Sequence, residues 1–184
     1  MHVPRQVSPL RPFDDAELVD RVRRSDADAC RMLYARHARY VAGVVFRLLG
    51  ADQDVDDIVQ EAFVDALEGI GALKDPARLR SWLVTIAVRK VNRVLSARRL
   101  RRRLTSSLAL LVPNSQAPMA GWSVDELGRA LDELPAKLRV AWILGRVEQL
   151  ELTEVASICA ISLATAKRRI AEAEQRLRRW LDDR

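Results

Sequence analysis

The chain of 184 residues carries a formal charge of +6, is 49% hydrophobic and only 5% aromatic. That length admits one medium domain or two small ones, and so few aromatics in a chain dominated by Ala, Leu, Val and Arg favour helices over a sheet sandwich. An isoelectric point near 10.0 points to a polyanionic partner, while Cys30 and Cys159 lie too far apart in sequence to suggest a disulfide framework or a metal cluster.

Residues 1–12, with Pro4, Pro9 and Pro12 among polar neighbours, read as a flexible tail without the apolar stretch of a leader. No segment offers the roughly 20 apolar residues of a membrane span, so a soluble, cytoplasmic protein with no membrane partner is expected. A helix then begins after Asp14 or Asp15, with Leu18, Val19 and Val22 on one face. A second runs over about 27–49 and stops at Gly50.

The third helix, about 54–70, is acidic. Asp54, Asp57, Glu61, Asp65 and Glu68 follow spacings of 3, 4, 4 and 3 and share one stripe beside an apolar face of Val55, Ile58, Val59, Ala62 and Ala66. Like charges one turn apart oppose the helix, so the stripe calls for relief, by a basic protein partner or by arginines of the same chain. No Lys or Arg occurs between Leu48 and Leu73, and no Asp or Glu between Pro76 and Val124. Two surfaces of opposite sign imply two kinds of contact.

After Asp75-Pro76 a long helix, about 78–103, turns from amphipathic to strongly basic. Trp82, Leu83, Ile86, Val91, Val94 and Leu95 can pack inward, and the cluster from Arg98 to Arg103, with Arg99 and Arg102, is suited to neutralising phosphates. Trp82 admits two roles, core packing or stacking on an unpaired base. Residues 104–122, rich in Ser, Pro and Asn around an apolar run at 108–112, form a linker between units 13–103 and 123–184. The fold class expected is all-α, in two small helical domains.

The second unit should hold helices at about 124–134, 136–147, 152–158 and 163–181. The last two, joined through Cys159-Ala160-Ile161 with Ser162 as N-cap, have the pattern of a helix-turn-helix. Leu163, Ala166, Ile170, Ala173 and Leu177 make one apolar stripe, and Ala164, Thr165, Arg168, Glu172, Gln175 and Arg179 lie opposite, flanked by Lys167 and Ala171. The first turns of such a helix suit the major groove, whereas Arg176, Arg178 and Arg179 are placed for phosphates or water.

In this order, acidic helix, basic helix and helix-turn-helix, the chain resembles the extracytoplasmic-function (group IV) sigma factors of RNA polymerase, which keep only regions 2 and 4. DQDVDDIVQEAFVDAL (52–67) is similar to region 2.2, LRSWLVTIAVRKVNRVLSARR (79–99) to regions 2.3 and 2.4, and residues 130–177 to region 4. The resemblance implies an alternative sigma factor that binds core polymerase and directs it to promoters. Asp56, Asp57, Gln60 and Glu61 then fall where the family binds the clamp coiled coil of the largest polymerase subunit. Arg78, Trp82, Arg89, Lys90, Asn92 and Arg93 fall where the minus 10 element is contacted and locally melted. Thr165, Lys167, Arg168, Ala171 and Glu172 fall on the face that reads the minus 35 element, with Arg98, Arg99, Arg102 and Arg176 on phosphates. An anti-sigma protein is a further partner that the resemblance implies.

The chain departs from the family pattern at Cys159-Ala160, where an apolar residue and Gly are common, and at Ala164, Ala166 and Arg168. The loop Lys74-Asp75-Pro76 lacks the usual Phe-Arg-Gly character. Two other readings stay open: a helix-turn-helix regulator independent of polymerase, and a sigma-like adaptor that has lost promoter binding. No catalytic residue, cofactor or metal is expected, since His2 and His37 stand apart from any cysteine and no phosphate-binding or nucleophile motif occurs.

Overall fold

Side-chain carboxylates and one left-handed glycine set several of the helix ends in the first half of the chain. A computed structural model describes residues 14–50, 53–106 and 124–182; the expected tail and most of the expected linker lie outside them. Helix α1 (Asp15–Arg23) starts at Asp14, whose carboxylate accepts from the Glu17 amide at 2.8 Å. Helix α2 (Ala27–Leu49) is capped by Asp26, which accepts from Asp28 and Ala29, and ends at Gly50 with φ +68°. That conformation costs glycine little, and it ends α2 ahead of α3 (Val55–Gly69). Asp75 accepts from the Ala77 amide at 3.0 Å, and α4 (Leu79–Ser106) follows, ending three residues beyond the end that the sequence suggested.

Helices α1 to α4 enclose one core, with Leu18, Leu33, Leu48, Ala66, Leu79 and Val91 sealed from solvent. Helix α4 differs from a simple amphipathic helix because its middle is buried nearly all round: Val84, Ala87 and Val88 are at most 2% exposed alongside Leu83 and Val91. The cause is tertiary. Helices α2 and α3 cover one side of it, and α6 (Ala136–Trp142) and α7 (Leu152–Ile158) of the second half cover another.

In that second half α5 (Val124–Glu133) and α6 pack on α8 (Leu163–Asp182). The single helix expected over 136–147 is instead α6 followed by a π-helical turn, Ile143–Val147. Gly145 explains the close approach there, since a Cβ on it would sit 2.8 Å from Cδ1 of Ile170 in α8. Of the expected apolar stripe of α8, Ala166, Ile170, Ala173 and Leu177 are buried, whereas Leu163, at the first turn and beyond the neighbouring helices, is 50% exposed. The turn between α7 and α8 places Ala160 at φ +52°. Cys30 and Cys159 are unpaired and partly buried, and burial pushes the Cys159 thiol up to about 11.

The two halves are also joined by charge. Arg47 of α2 grips Glu148, with Nη2 3.0 Å from Oε2 and a second bond through Nε; the Glu148 side chain is 7% exposed. Arg139 of α6 is sealed in the same region, its Nη1 2.6 Å from Asp132 Oδ1. Its Nη2 would lie 2.7 Å from a Cβ on Gly50, so Gly50 is required both for its backbone conformation and for this contact.

Candidate polymerase and nucleic-acid interfaces

The outward face of α3 is built by the helical period alone. Its core stripe of Val55, Ile58, Val59 and Ala62 is buried, which leaves Asp56, Asp57, Gln60 and Glu61 exposed. All four of the residues expected to meet polymerase therefore share accessible surface. Val64 and Leu67, 53% and 37% exposed, continue that face. The sequence reading passed over them because it took only the charged stripe and the apolar stripe of this helix; their signal is an apolar residue at a position off the i, i+3, i+4 stripe.

The acidic stripe is partly answered from within the chain. Asp54 receives Arg98 at 2.5 Å, and Arg98 also donates to the Leu49 carbonyl at 3.4 Å. Glu61 and Asp65 share Lys90 of α4, at 3.2 and 2.8 Å. Among the described residues Asp56, Asp57 and Glu68 form no ion pair.

Helix α4 carries the basic surface, and the structure divides the residues expected to approach DNA. Arg78, Arg89 and Arg93 are exposed, the last two one turn apart. Trp82 is half-buried, its ring edge 3.7 Å from where a Cβ on Gly69 would lie, so the indole has both a packed and an open side. Lys90 is only 8% exposed and turned toward α3, and Asn92 buries its amide oxygen without a hydrogen-bond partner among the described residues. Arg98 and Arg99 are half-buried; the Arg102 side chain lies outside the described residues. Arg80 stacks over the Tyr40 ring at 3.5 Å, a cation–π contact that holds its guanidinium against α2.

Burial alone would push Lys90 down, but hydrogen bonds and charge attraction from Asp65 and Glu61 outweigh it and hold the ammonium above its ordinary range. Burial also lowers His37, which is 7% exposed; Asp15 opposes that shift, and Arg36 and Arg80 add to it.

In α8 the Ser162 hydroxyl accepts from the Thr165 amide at 3.2 Å and lies 2.8 Å from the Thr165 hydroxyl. The helix start is thereby fixed, and Thr165 is half-buried in the cap. Lys167 and Arg168 are exposed side by side, and Ala171 is exposed one turn further on. Glu172 accepts from Arg176 at 2.7 Å, so these two residues answer one another in the free chain. Arg47, Glu148 and Arg139 were not foreseen: Leu138 to Ala141 are four consecutive buried positions, a pattern that comes from packing on several neighbours and not from a helical stripe.

A helix-turn-helix with exposed basic side chains at the start of its second helix, packed on a helical bundle that carries opposed acidic and basic helices, is the architecture these residues define. The Sigma-70 region 2 family model matches residues 33–103, and the Sigma-70 region 4 model matches residues 125–177. The RNA polymerase sigma-H factor of Pseudomonas aeruginosa is 26% identical over 180 residues, covering 90% of this chain and 93% of that one. The ECF RNA polymerase sigma-E factor of Escherichia coli K12 is 28% identical over 177 residues, covering 88% and 91%. Among solved structures, CnrH in complex with the cytosolic domain of CnrY matches with TM-score 0.64 and 26% identity over 92% of this chain and 97% of that chain. The sigma factor RpoE from Bartonella quintana, in complex with the anti-sigma factor NepR, shares the fold with TM-score 0.57 at 23% identity, over 81% and 94%. The chain belongs to the sigma-70 family, in the extracytoplasmic-function form that keeps regions 2 and 4.

Proposed function

We propose that the chain is an alternative sigma factor in which α3 docks on core RNA polymerase while α4 and α8 address the minus 10 and minus 35 elements of a promoter. The observation that carries this is the outward presentation, on consecutive helices, of an acidic face at Asp56, Asp57, Gln60 and Glu61 and a basic one at Arg78, Arg89 and Arg93. An acidic face cannot attract a phosphate backbone, so it must serve a different partner from the basic face. The largest-subunit clamp coiled coil fits the acidic face, with Val64 and Leu67 adding apolar contact. Lys167 and Arg168 at the start of α8 are placed to donate to base edges, and Ala171 permits close approach.

The functional units are 13–103 and 123–184, with 104–122 joining them. Relatives of this fold were solved bound to an anti-sigma factor and to the cytosolic domain of another protein, which supports an inhibitory protein partner here as well. No described helix is long and apolar enough to cross a membrane. A cytoplasmic location and the lack of any chemistry of its own belong to this reading as what a sigma factor's task requires.

The test is run-off transcription from a genomic fragment library by bacterial core polymerase, with and without the protein. New discrete start sites that require it, sharing two upstream elements, are the expected result. Polymerase binding without new starts would favour the adaptor reading, and promoter binding without polymerase would favour an independent regulator.

A further inference from the structure

Lys90 sits in the wrong place for a promoter contact and in a telling place for another task. Its side chain is 9% exposed, and its ammonium lies 2.8 Å from Asp65 Oδ2 and 3.2 Å from Glu61 Oε2. A buried ammonium is tolerated only when paired, and here both partners come from the neighbouring helix. The carboxylates are one turn apart on α3 and would repel each other without the cation between them. They remain 65% and 47% exposed, so Lys90 holds them from beneath while leaving them accessible from outside. A basic partner that meets Glu61 consequently meets a side chain already fixed in one conformation, with less rotamer freedom to lose on binding.

We infer that Lys90 is a positioning residue for polymerase docking, which presets the Glu61 and Asp65 carboxylates on the outward face of α3 and makes no contact with promoter DNA. This rests on the reading that α3 is the docking face. It also explains why the basic helix carries a lysine one residue after Arg89 that does not join Arg89 and Arg93 on the exposed stripe.

The experiment uses the full chain and the variant Lys90→Met, which keeps an unbranched apolar stem and removes the charge. Affinity for core polymerase is measured without DNA by fluorescence anisotropy, and run-off transcription is measured with the variant at saturating concentration. The expected result is a roughly tenfold weaker affinity for core, with transcription at saturation returning to the wild-type level and Lys90→Arg restoring most of the affinity. Unchanged core affinity, or a promoter defect that persists at saturation, would overturn the inference. Should Lys90→Met fail to fold by circular dichroism, Lys90→Gln, which removes the charge but keeps a polar group able to donate to the two carboxylates, takes its place. It is expected to weaken core binding severalfold, and unchanged affinity would overturn the inference equally. Asp57→Lys runs in parallel because Asp57 has no contact with Lys90. If Asp57→Lys leaves core affinity intact, the docking face itself is wrong; if Asp57→Lys impairs binding and Lys90→Met does not, the positioning role alone fails.

Discussion

Replacing Ala160 with Gly should stabilise the protein. Ala160 occupies the turn between α7 and α8 at φ +52°, where a Cβ meets its own backbone. The left-handed conformation costs an L-residue about 1–2 kcal/mol, and glycine avoids that cost. Glycine also gives the unfolded chain more freedom, which takes back about 0.4–1 kcal/mol. The difference leaves a net gain of about 0.5–1 kcal/mol, and a chain of this size moves its melting temperature by about 2–4 °C per kcal/mol. Thermal melting followed by circular dichroism should therefore rise by about 1–4 °C. The side chain at 160 points to solvent and Ser162 still caps α8, so affinity for duplex DNA should not change. A lower melting temperature for Ala160→Gly would refute the strain argument and show that the methyl group makes contacts that outweigh it.

Four further outcomes follow from the geometry. Arg47→Ala should cost more stability than Glu148→Ala, about 2–3 against about 1 kcal/mol by urea denaturation, because Glu148 would be left as a buried carboxylate whereas Arg47, 40% exposed, can be hydrated. Since His37 has a lowered pKa, the fold favours its neutral form; that contribution is complete above 6.5 and is lost as pH falls below it, so His37→Leu should flatten the stability difference between about pH 7.5 and pH 5.5. With its thiol at about 11 instead of 9.0, Cys159 should react with a disulfide reagent at about pH 8 roughly 100-fold more slowly in the native state than after unfolding. Arg168→Ala should weaken binding to one promoter element by about 1–3 kcal/mol in competition assays and leave random duplex unaffected; equal loss on both would mean a phosphate contact only.

Helix ends were legible in the sequence because their causes are local. Asp14 and Ser162 cap within three residues, and Gly50 supplies its own left-handed turn; the Asp26 cap of α2 is equally local, though only the start of that helix was read. The outward position of Asp57 and Glu61 was legible for the same reason, since the period of one helix decides it, whereas Asp56 and Gln60 came only from the family resemblance. Burial that arises from distant partners was not. Nothing in residues 79–99 announces that α6 and α7 cover a second side of α4, and nothing in AKLRVAW marks Arg139 as sealed beside Asp132 and Gly50. Lys90 shows the same limit at a candidate site: a run of cations predicts a basic helix, but which cation turns toward α3 depends on how the two helices cross.

The contact between the halves also bears on how the protein behaves in a crowded solution. Val84 of α4 and Ile158 of α7, 2% and 3% exposed, lie along one groove with Leu150. Swinging the halves apart would uncover these residues together, as a patch of the kind that makes proteins adhere to one another. The opened form is thus the one prone to aggregate, and a partner that holds the chain open without covering α4 would trade solubility for access.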